Sequence, residues 1–317
     1  CADVIHEFAL TGATNMFESA ELGHCISDRI YDRTEVRLRE ALLKAQYALL
    51  DRKNFPVIIV IGGVDGAGKG ETVNILNKWM DPRHIVTHAF GEMSDEERAR
   101  PRMSRYWRAL PPKGRVGILF GAWHSDPIVD RVNGETDDAG FELALEEIVR
   151  FERMLAEEGT VILKLWLHLS KKSQKKRLKA LEADPATRWR VTAADWAGYK
   201  RYDRYRKISE TALRETSTAH APWVVIEGAD ANYRYLTAGR TLLDALETRL
   251  AGQKPIASPP VALPPAPIDG RTVFSGLDYA ARMPHQNYAK KLEQYQGLSA
   301  LQSLPKTSHH KTEIGRT

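Results

Sequence analysis

Val57-Ile-Ile-Val-Ile-Gly-Gly-Val-Asp-Gly-Ala-Gly-Lys-Gly70 is the stretch whose reading decides the fold. Five apolar, mostly β-branched residues at 57–61 have the composition of a buried strand. Glycines follow at once, and then a helical pattern over 71–80. Strand, glycine loop and helix in that order form the frame of a phosphate-binding loop. Gly63 and Gly68 let backbone N–H groups turn toward an anion with no Cβ in the way. The helix beyond Lys69 aims the positive end of its dipole at the same spot, and Lys69 adds a point charge for the outer phosphates. Gly63, Gly66, Gly68, Lys69 and Gly70 are therefore the loop's candidate phosphate contacts. Gly70 stands where Ser or Thr normally reaches Mg²⁺, which leaves Asp65 as the expected metal or acceptor group.

The chain has 317 residues, enough for one large domain or two small ones, and 43% of them are apolar, ample for a packed α/β core. It contains no run of about 18 apolar residues, so no membrane span is expected. Residues 1–16 lack a basic stretch followed by an apolar one, so no signal peptide is visible, and the natural start of the chain is left open. Two cysteines, Cys1 and Cys25, cannot build a disulfide framework or a zinc site, and a reducing cytoplasm is the expected location. The net charge of +5 is clustered. Seven Lys or Arg and no acid fall in 98–115, and thirteen basic residues stand against four acidic ones in 171–207. Solvated helix faces are the plain reading of such runs. Trp, Tyr and Arg interleave as on some nucleic-acid stacking surfaces. Beside a phosphate loop, however, a long phosphate polymer is the more fitting anion, and nucleic acid is not the expected partner.

Outward from the loop, Leu38, Leu42, Ala45 and Leu49 mark an amphipathic helix over 35–50. Strands are expected at 85–90, 116–120, 161–169 and 223–226. Residues 92–105 read as a charged loop. Phe141, Leu145, Ile148 and Leu155 form a helical stripe that stops at Gly159. Ser170 is placed to cap a basic helix over 171–182, and one further helix is expected over 193–214 and another over 233–250. Continuous apolar strands alternating with helices predict a doubly wound α/β domain, a parallel sheet with helices on both faces. Its expected span is 31–251, after a lead-in at 1–30 with no clear period. Six prolines between Pro255 and Pro267 mark a stiff linker over 252–276, and 277–317 reads as the start of a further domain and a polar tail.

The loop resembles that of the polyphosphate kinase 2 family, in which Gly follows the Lys and an Asp sits inside the loop. The resemblance continues through Asp95-Glu-Glu-Arg98, Arg105-Tyr-Trp-Arg108, Leu110-Pro111 and Gly114-Arg115. It goes on through Trp123, Val129-Asp-Arg-Val132, Lys164-Leu-Trp-Leu-His-Leu-Ser170, Asp195-Trp196 and Ala221-Pro-Trp223. The Pro-rich linker and Asn287-Tyr-Ala-Lys-Lys-Leu-Glu293 are similar to the junction of two-domain members, so the chain is expected to be a first domain joined to the beginning of a second. The resemblance implies a P-loop, nucleoside-kinase-like fold with a basic helical lid. It also implies Mg²⁺, and phosphoryl transfer between inorganic polyphosphate and a nucleoside mono- or diphosphate, with AMP to ADP foremost. By position it assigns Asp65, Lys69 and Arg105 to catalysis and Asp65 to the metal. Arg98, Arg105 and Arg108 become phosphate contacts, and Lys171, Lys172, Arg188 and Arg190 part of a lid or polyphosphate channel.

One departure bears on activity. Members that catalyse carry Asp-Arg-Ser-Trp at the end of the third strand, and with Trp123 aligned the first two positions here are Phe120 and Gly121. An apolar ring cannot coordinate a hard cation. His124, Asp126 and Asp130 are the nearby groups that could compensate. A catalytically silent domain that binds polyphosphate is thus the rival expectation, and a nucleotide-driven kinase of small molecules is a weaker third. Oligomeric state, a homo-oligomer included, is left open.

Overall fold

The computed structural model describes residues 16–252. Five parallel strands form one sheet in the order β2-β3-β1-β4-β5: β1 (Val57–Gly63), β2 (Ile85–Ala89), β3 (Val116–Phe120), β4 (Val161–His168) and β5 (Trp223–Glu227). The helices are α1 (Asp28–Arg52), α2 (Lys69–Trp79), α3 (Asp95–Arg98), α4 (Ser104–Trp107), α5 (Ser125–Asn133), α6 (Asp138–Glu157), α7 (Lys171–Ala183), α8 (Ala193–Lys200), α9 (Tyr202–Thr216) and α10 (Ala231–Leu250). Both the parallel sheet and its two helical layers are as the apolar strand runs predict.

The pleat sorts side chains between the layers. Val57, Ile59 and Ile61 of β1 face the layer that holds Leu42 and Leu49 of α1, Leu76 of α2 and Leu242 of α10. Ile58 and Val60 face the other, with Ile128 of α5, Ile148 of α6 and Leu213 of α9. β1 lies at the centre of the sheet with β3 on one side and β4 on the other, so its carboxyl end opens at the point where the strand order reverses. Ligands of open α/β sheets bind there.

One buried charge pair sits inside the second layer. Lys164 of β4 donates to Glu152 of α6 at 2.7 Å and to the Thr216 carbonyl at 2.7 Å. Glu152 also accepts from Trp123 Nε1 at 3.0 Å, and His124 Nε2 lies 3.0 Å away. Burial drives the Glu152 carboxyl up, but the Lys164 charge, with a hydrogen bond from the His124 ring, outweighs it and holds the group below the usual carboxylate range.

Four expectations are corrected. The domain does not begin at residue 31, because α1 starts at Asp28 and the chain is packed from Met16 onward. Phe17 is fully buried and stacks on His168 with ring centroids 4.4 Å apart, while the Gly23 and His24 N–H groups donate to Glu227. A segment held by separate rings, Phe17 on His168 and His24 on Tyr233, and by backbone N–H groups carries no periodic signal. Residues 92–105 hold the single-turn helix α3, closed by a Ser94–Glu97 capping box, and the start of α4. The expected helix over 193–214 is two, broken at Arg201. Gly198 weakens the first, and the start of the second is pinned where the Tyr202 hydroxyl donates to the Leu169 carbonyl at 2.6 Å. Finally, α5 was not anticipated, and it buries only Pro127, Ile128 and Val132 before Gly134 ends it. The linker expected over 252–276 and the further domain over 277–317 lie outside the described residues, apart from Gly252.

Candidate active site

The loop that joins β1 to α2 stands at the carboxyl end of the central strand. Gly68 takes φ +86° as the residue before α2, and a Cβ there would meet the Arg234 guanidinium at 2.3 Å. Only glycine serves at this position. Gly63 and Gly66 also have positive φ, so three glycines bend the loop around the helix N-terminus. A Cβ on Gly70 would meet nothing within 4 Å, so packing does not forbid a hydroxyl residue there. Lys69 folds back over the loop, with Nζ 2.8 Å from the Gly63 carbonyl and 3.0 Å from Asp65 Oδ1. The Asp65 side chain is 61% exposed. A cavity of about 200 Å³ opens beside it, bounded by Val64, Asn133, Gln174, Gly198 and Tyr205. Gln174 Nε2 fastens the Asp65 carbonyl at 3.0 Å.

The basic helix α7 starts as expected, with Ser170 accepting from the Ser173 N–H. It reaches the loop through a residue that the motif did not single out: Arg177 donates to both oxygens of Glu71, at 2.8 and 2.9 Å. Arg190, in the short turn Arg188–Arg190, comes within 3.6 Å of the same carboxylate. Lys171 pairs with Asp203 instead. Lys172 and Arg188 are exposed and have no partner among the described residues.

Arg105 is buried at the end of β2, two strands from β1. It donates to the Gly91 carbonyl at 3.1 Å, lies 3.5 Å from Glu97 and stacks over Phe90 with 5.1 Å to the ring centroid. Glu97 is held below the usual carboxylate range by the Ser94 N–H and then by Arg105 and Arg108. Arg105 is thus the arginine that Glu97 holds in place. Arg98 stays apart on an exposed turn, paired with Asp95.

Phe120 ends β3 in register with Ile61 of β1, half-buried against the α2 layer. Of the three groups that could replace a carboxylate there, His124 is fully buried beside Glu152 and is not available to a metal. Asp126 accepts from the Tyr106 hydroxyl at 3.2 Å. Burial raises its carboxyl, and burial together with Asp126 raises that of Asp130. Among the described residues no three His, Cys, Asp or Glu are arranged to hold a metal. Among the described residues, Asp65 offers an exposed hard oxygen at the loop mouth. That fits Mg²⁺, which binds through one or two carboxylates and takes its other ligands from phosphates and water.

The sequence profile of polyphosphate kinase 2 matches residues 25–254. The chain belongs to the polyphosphate kinase 2 family. A polyphosphate:AMP phosphotransferase of Pseudomonas aeruginosa is 48% identical over 278 residues, which are 87% of this chain and 56% of that protein. An AMP/ADP-polyphosphate phosphotransferase of Meiothermus ruber is 34% identical over 210 residues, 66% of this chain and 79% of the relative. The solved structure of polyphosphate kinase 2 from Arthrobacter aurescens superposes with a TM-score of 0.70 at 27% identity, covering 90% of this chain and 92% of the other. The chain thus spans about half the length of the Pseudomonas aeruginosa phosphotransferase, 56%.

For a polyphosphate kinase 2, the residues that sequence reasoning missed are Glu71, Arg177 and Arg234. Glu71 directly follows the motif, and a carboxylate in the first turn of an anion-binding helix was a readable signal. Arg177 is one cation among many on α7. Arg234 lies fully buried on α10 among apolar neighbours, and nothing local in the sequence marks it.

Proposed function

We propose that this domain carries out phosphoryl transfer between inorganic polyphosphate and a nucleotide, AMP to ADP foremost, with Mg²⁺ and in a cytoplasmic setting. The observation that carries the reading is the reach of the basic lid to the phosphate loop itself, through Arg177 and Arg190 at Glu71. Family membership and the substrates named for the relatives support the same substrates here. No helix among the described residues is long and apolar enough to cross a membrane.

In this reading the loop N–H groups and Lys69 bind the phosphates that flank the bond to be broken. Arg105 and Arg108 hold the acceptor's phosphate at the neighbouring strand ends. Arg177, Arg190, Lys171, Lys172 and Arg188 line the path of the polymer, and Arg98 extends the basic rim. Such chemistry rests on positioning and charge neutralisation rather than on a strong base. Mg²⁺, held through Asp65, would add charge neutralisation at the phosphate oxygens. ADP formed from AMP plus polyphosphate, with and without Mg²⁺, tests the reading, and no ADP under either condition refutes it.

Phe120 favours a second reading: a domain that binds polyphosphate without turning it over. Polyphosphate binding in the absence of ADP formation would support it.

A further inference from the structure

Glu71 stands in the first turn of α2, immediately beyond Gly70, and receives guanidinium groups from three separate places in the fold. Arg177 comes from the middle of α7 at 2.8 and 2.9 Å, and Arg190 from the turn beyond α7 at 3.6 Å. Arg234 comes from the first turn of α10 at 2.8 Å, fully buried and also donating to the Gly228 carbonyl at 2.6 Å. The helix dipole already favours an acid at this position, and one cation would balance it. Three arginines on one carboxylate leave an excess of positive charge beside the phosphate loop.

The three are not equivalent. Arg234 is an anchor: it packs beneath Gly68, and its Nε has no hydrogen-bond partner among the described residues. Arg177 and Arg190 are half-exposed and belong to the lid. Arg177 uses only Nη2 on Glu71, and its other N–H groups have no protein partner among the described residues. Exposed ion pairs of this kind add little stability, whereas fixing a flexible cation near its ligand removes ordering cost from binding.

We propose that Glu71 is a positioning residue that tethers the lid to the phosphate loop and presents Arg177 and Arg190 to the polyphosphate chain. The identity of the ligand rests on the function proposed above, but the tether does not. Amide hydrogen exchange over residues 184–191 in the ligand-free protein therefore tests it without substrate. Glu71→Gln should speed exchange there about tenfold, because local opening is governed by the contacts that hold a segment down. Exchange in α2 should stay unchanged. Because Glu71 also touches buried Arg234, Arg177→Gln is measured beside it. That change removes one of the two lid contacts from a side chain only 27% exposed, leaves the Arg190 and Arg234 pairs in place, and should give a smaller increase in the same segment. Unchanged exchange in both variants overturns the tether.

Kinetics then separate positioning from mere structure. Glu71→Gln should raise KM for polyphosphate about tenfold through the lost pre-organisation, with KM for AMP unmoved. An equal rise in both KM values, or tighter polyphosphate binding that marks Glu71 as a competitor of the chain, overturns the proposal. A wild-type domain that neither binds nor consumes polyphosphate would refute the functional reading, and the exchange result would still decide the tether.

Discussion

Lys69 Nζ lies 3.0 Å from Asp65 Oδ1, so the two charged side chains of the phosphate loop are each other's partners. Asp65 is 61% exposed, and a pair so open to water holds weakly. In the function proposed above, a phosphate entering the loop would compete with Asp65 for Lys69, and a cation entering with it would compete with Lys69 for Asp65. Without ligand, the two charges of the loop neutralise one another.

Removing the lysine should therefore remove ligand response rather than fold. Lys69→Ala is expected to abolish the rise in melting temperature caused by polyphosphate or nucleotide. The ligand-free melting temperature should change little, since Lys69 is otherwise bonded only to the Gly63 and Val64 carbonyls within the same loop. A thermal shift in the variant equal to that of wild type would argue against this loop as the phosphate site.

Salt should weaken polyphosphate binding steeply. A poly-anion neutralised by several Lys and Arg releases counterions, and log K falls with log salt by about 0.7 for each contact to a single strand. Lys172 and Arg188 are exposed without protein partners, and Arg177 and Arg190 are half-exposed at the loop. Titrations at low and moderate salt should give a slope of about three contacts or more on that scale. A slope near zero would mean that these cations face only water.

Acid should destabilise the fold from the histidine range downward. Burial lowers the His124 imidazole below its ordinary value of 6.5, against the pull of Glu152, and burial lowers His168 likewise, against Glu21. Both stay neutral in the folded chain where the unfolded chain takes up protons. Stability is then fully present above pH 6.5 and declines as pH falls below it, by up to about 1.4 kcal/mol per pH unit for each group. Urea midpoints at about pH 7.5 and about pH 5.5 measure the loss. His124→Gln should make the acid arm shallower, and an arm as steep as wild type would count against His124 as a contributor.

How much of this the sequence discloses depends on whether the signal is local. The run at 57–61, the glycines and Lys69 define loop, strand and helix because each carries its own backbone physics, and the other strands are legible as apolar runs. Phe17 and the segment to Ile26 were illegible because two separate rings, Phe17 on His168 and His24 on Tyr233, make no period. The break at Arg201 depends on the Tyr202 hydroxyl finding Leu169, a contact 33 residues apart. At the site, the basic run 171–207 shows clustered charge but not which cation reaches the loop. That choice is made by Glu71 together with the path of α7, and only the fold brings them together.

Phe120 and Gly121 invite introduction of the Asp-Arg pair that the family resemblance implies at these positions, but the two positions are not alike. Gly121 has φ +66°, and a Cβ there would stand 2.8 Å from the Phe90 carbonyl oxygen. An arginine at 121 is strained in backbone and blocked in space, so Gly121→Arg should lower stability whatever it does for phosphate. Phe120 is different: it ends β3 in ordinary strand register with Ile61, half-buried against the α2 layer, and its backbone accepts any side chain. Phe120→Asp alone, with Gly121 kept, should therefore raise Mg²⁺-dependent transfer. The gain could reach a few kcal/mol of transition-state stabilisation, on the order of what one well-aimed electrostatic group supplies. Without Mg²⁺ the new carboxylate, half-buried, should cost about 1–3 kcal/mol of stability, and Mg²⁺ with polyphosphate should recover part of it. Initial rates of ADP formation and melting temperatures with and without Mg²⁺ measure both halves. If the wild-type domain already turns over at about 1–100 s⁻¹, the range of ordinary kinases, Phe120 is no impediment and the premise fails. If Phe120→Asp folds, gains Mg²⁺-dependent stability and still transfers nothing, the missing carboxylate is not what separates binding from chemistry here, and the domain acts by holding polyphosphate.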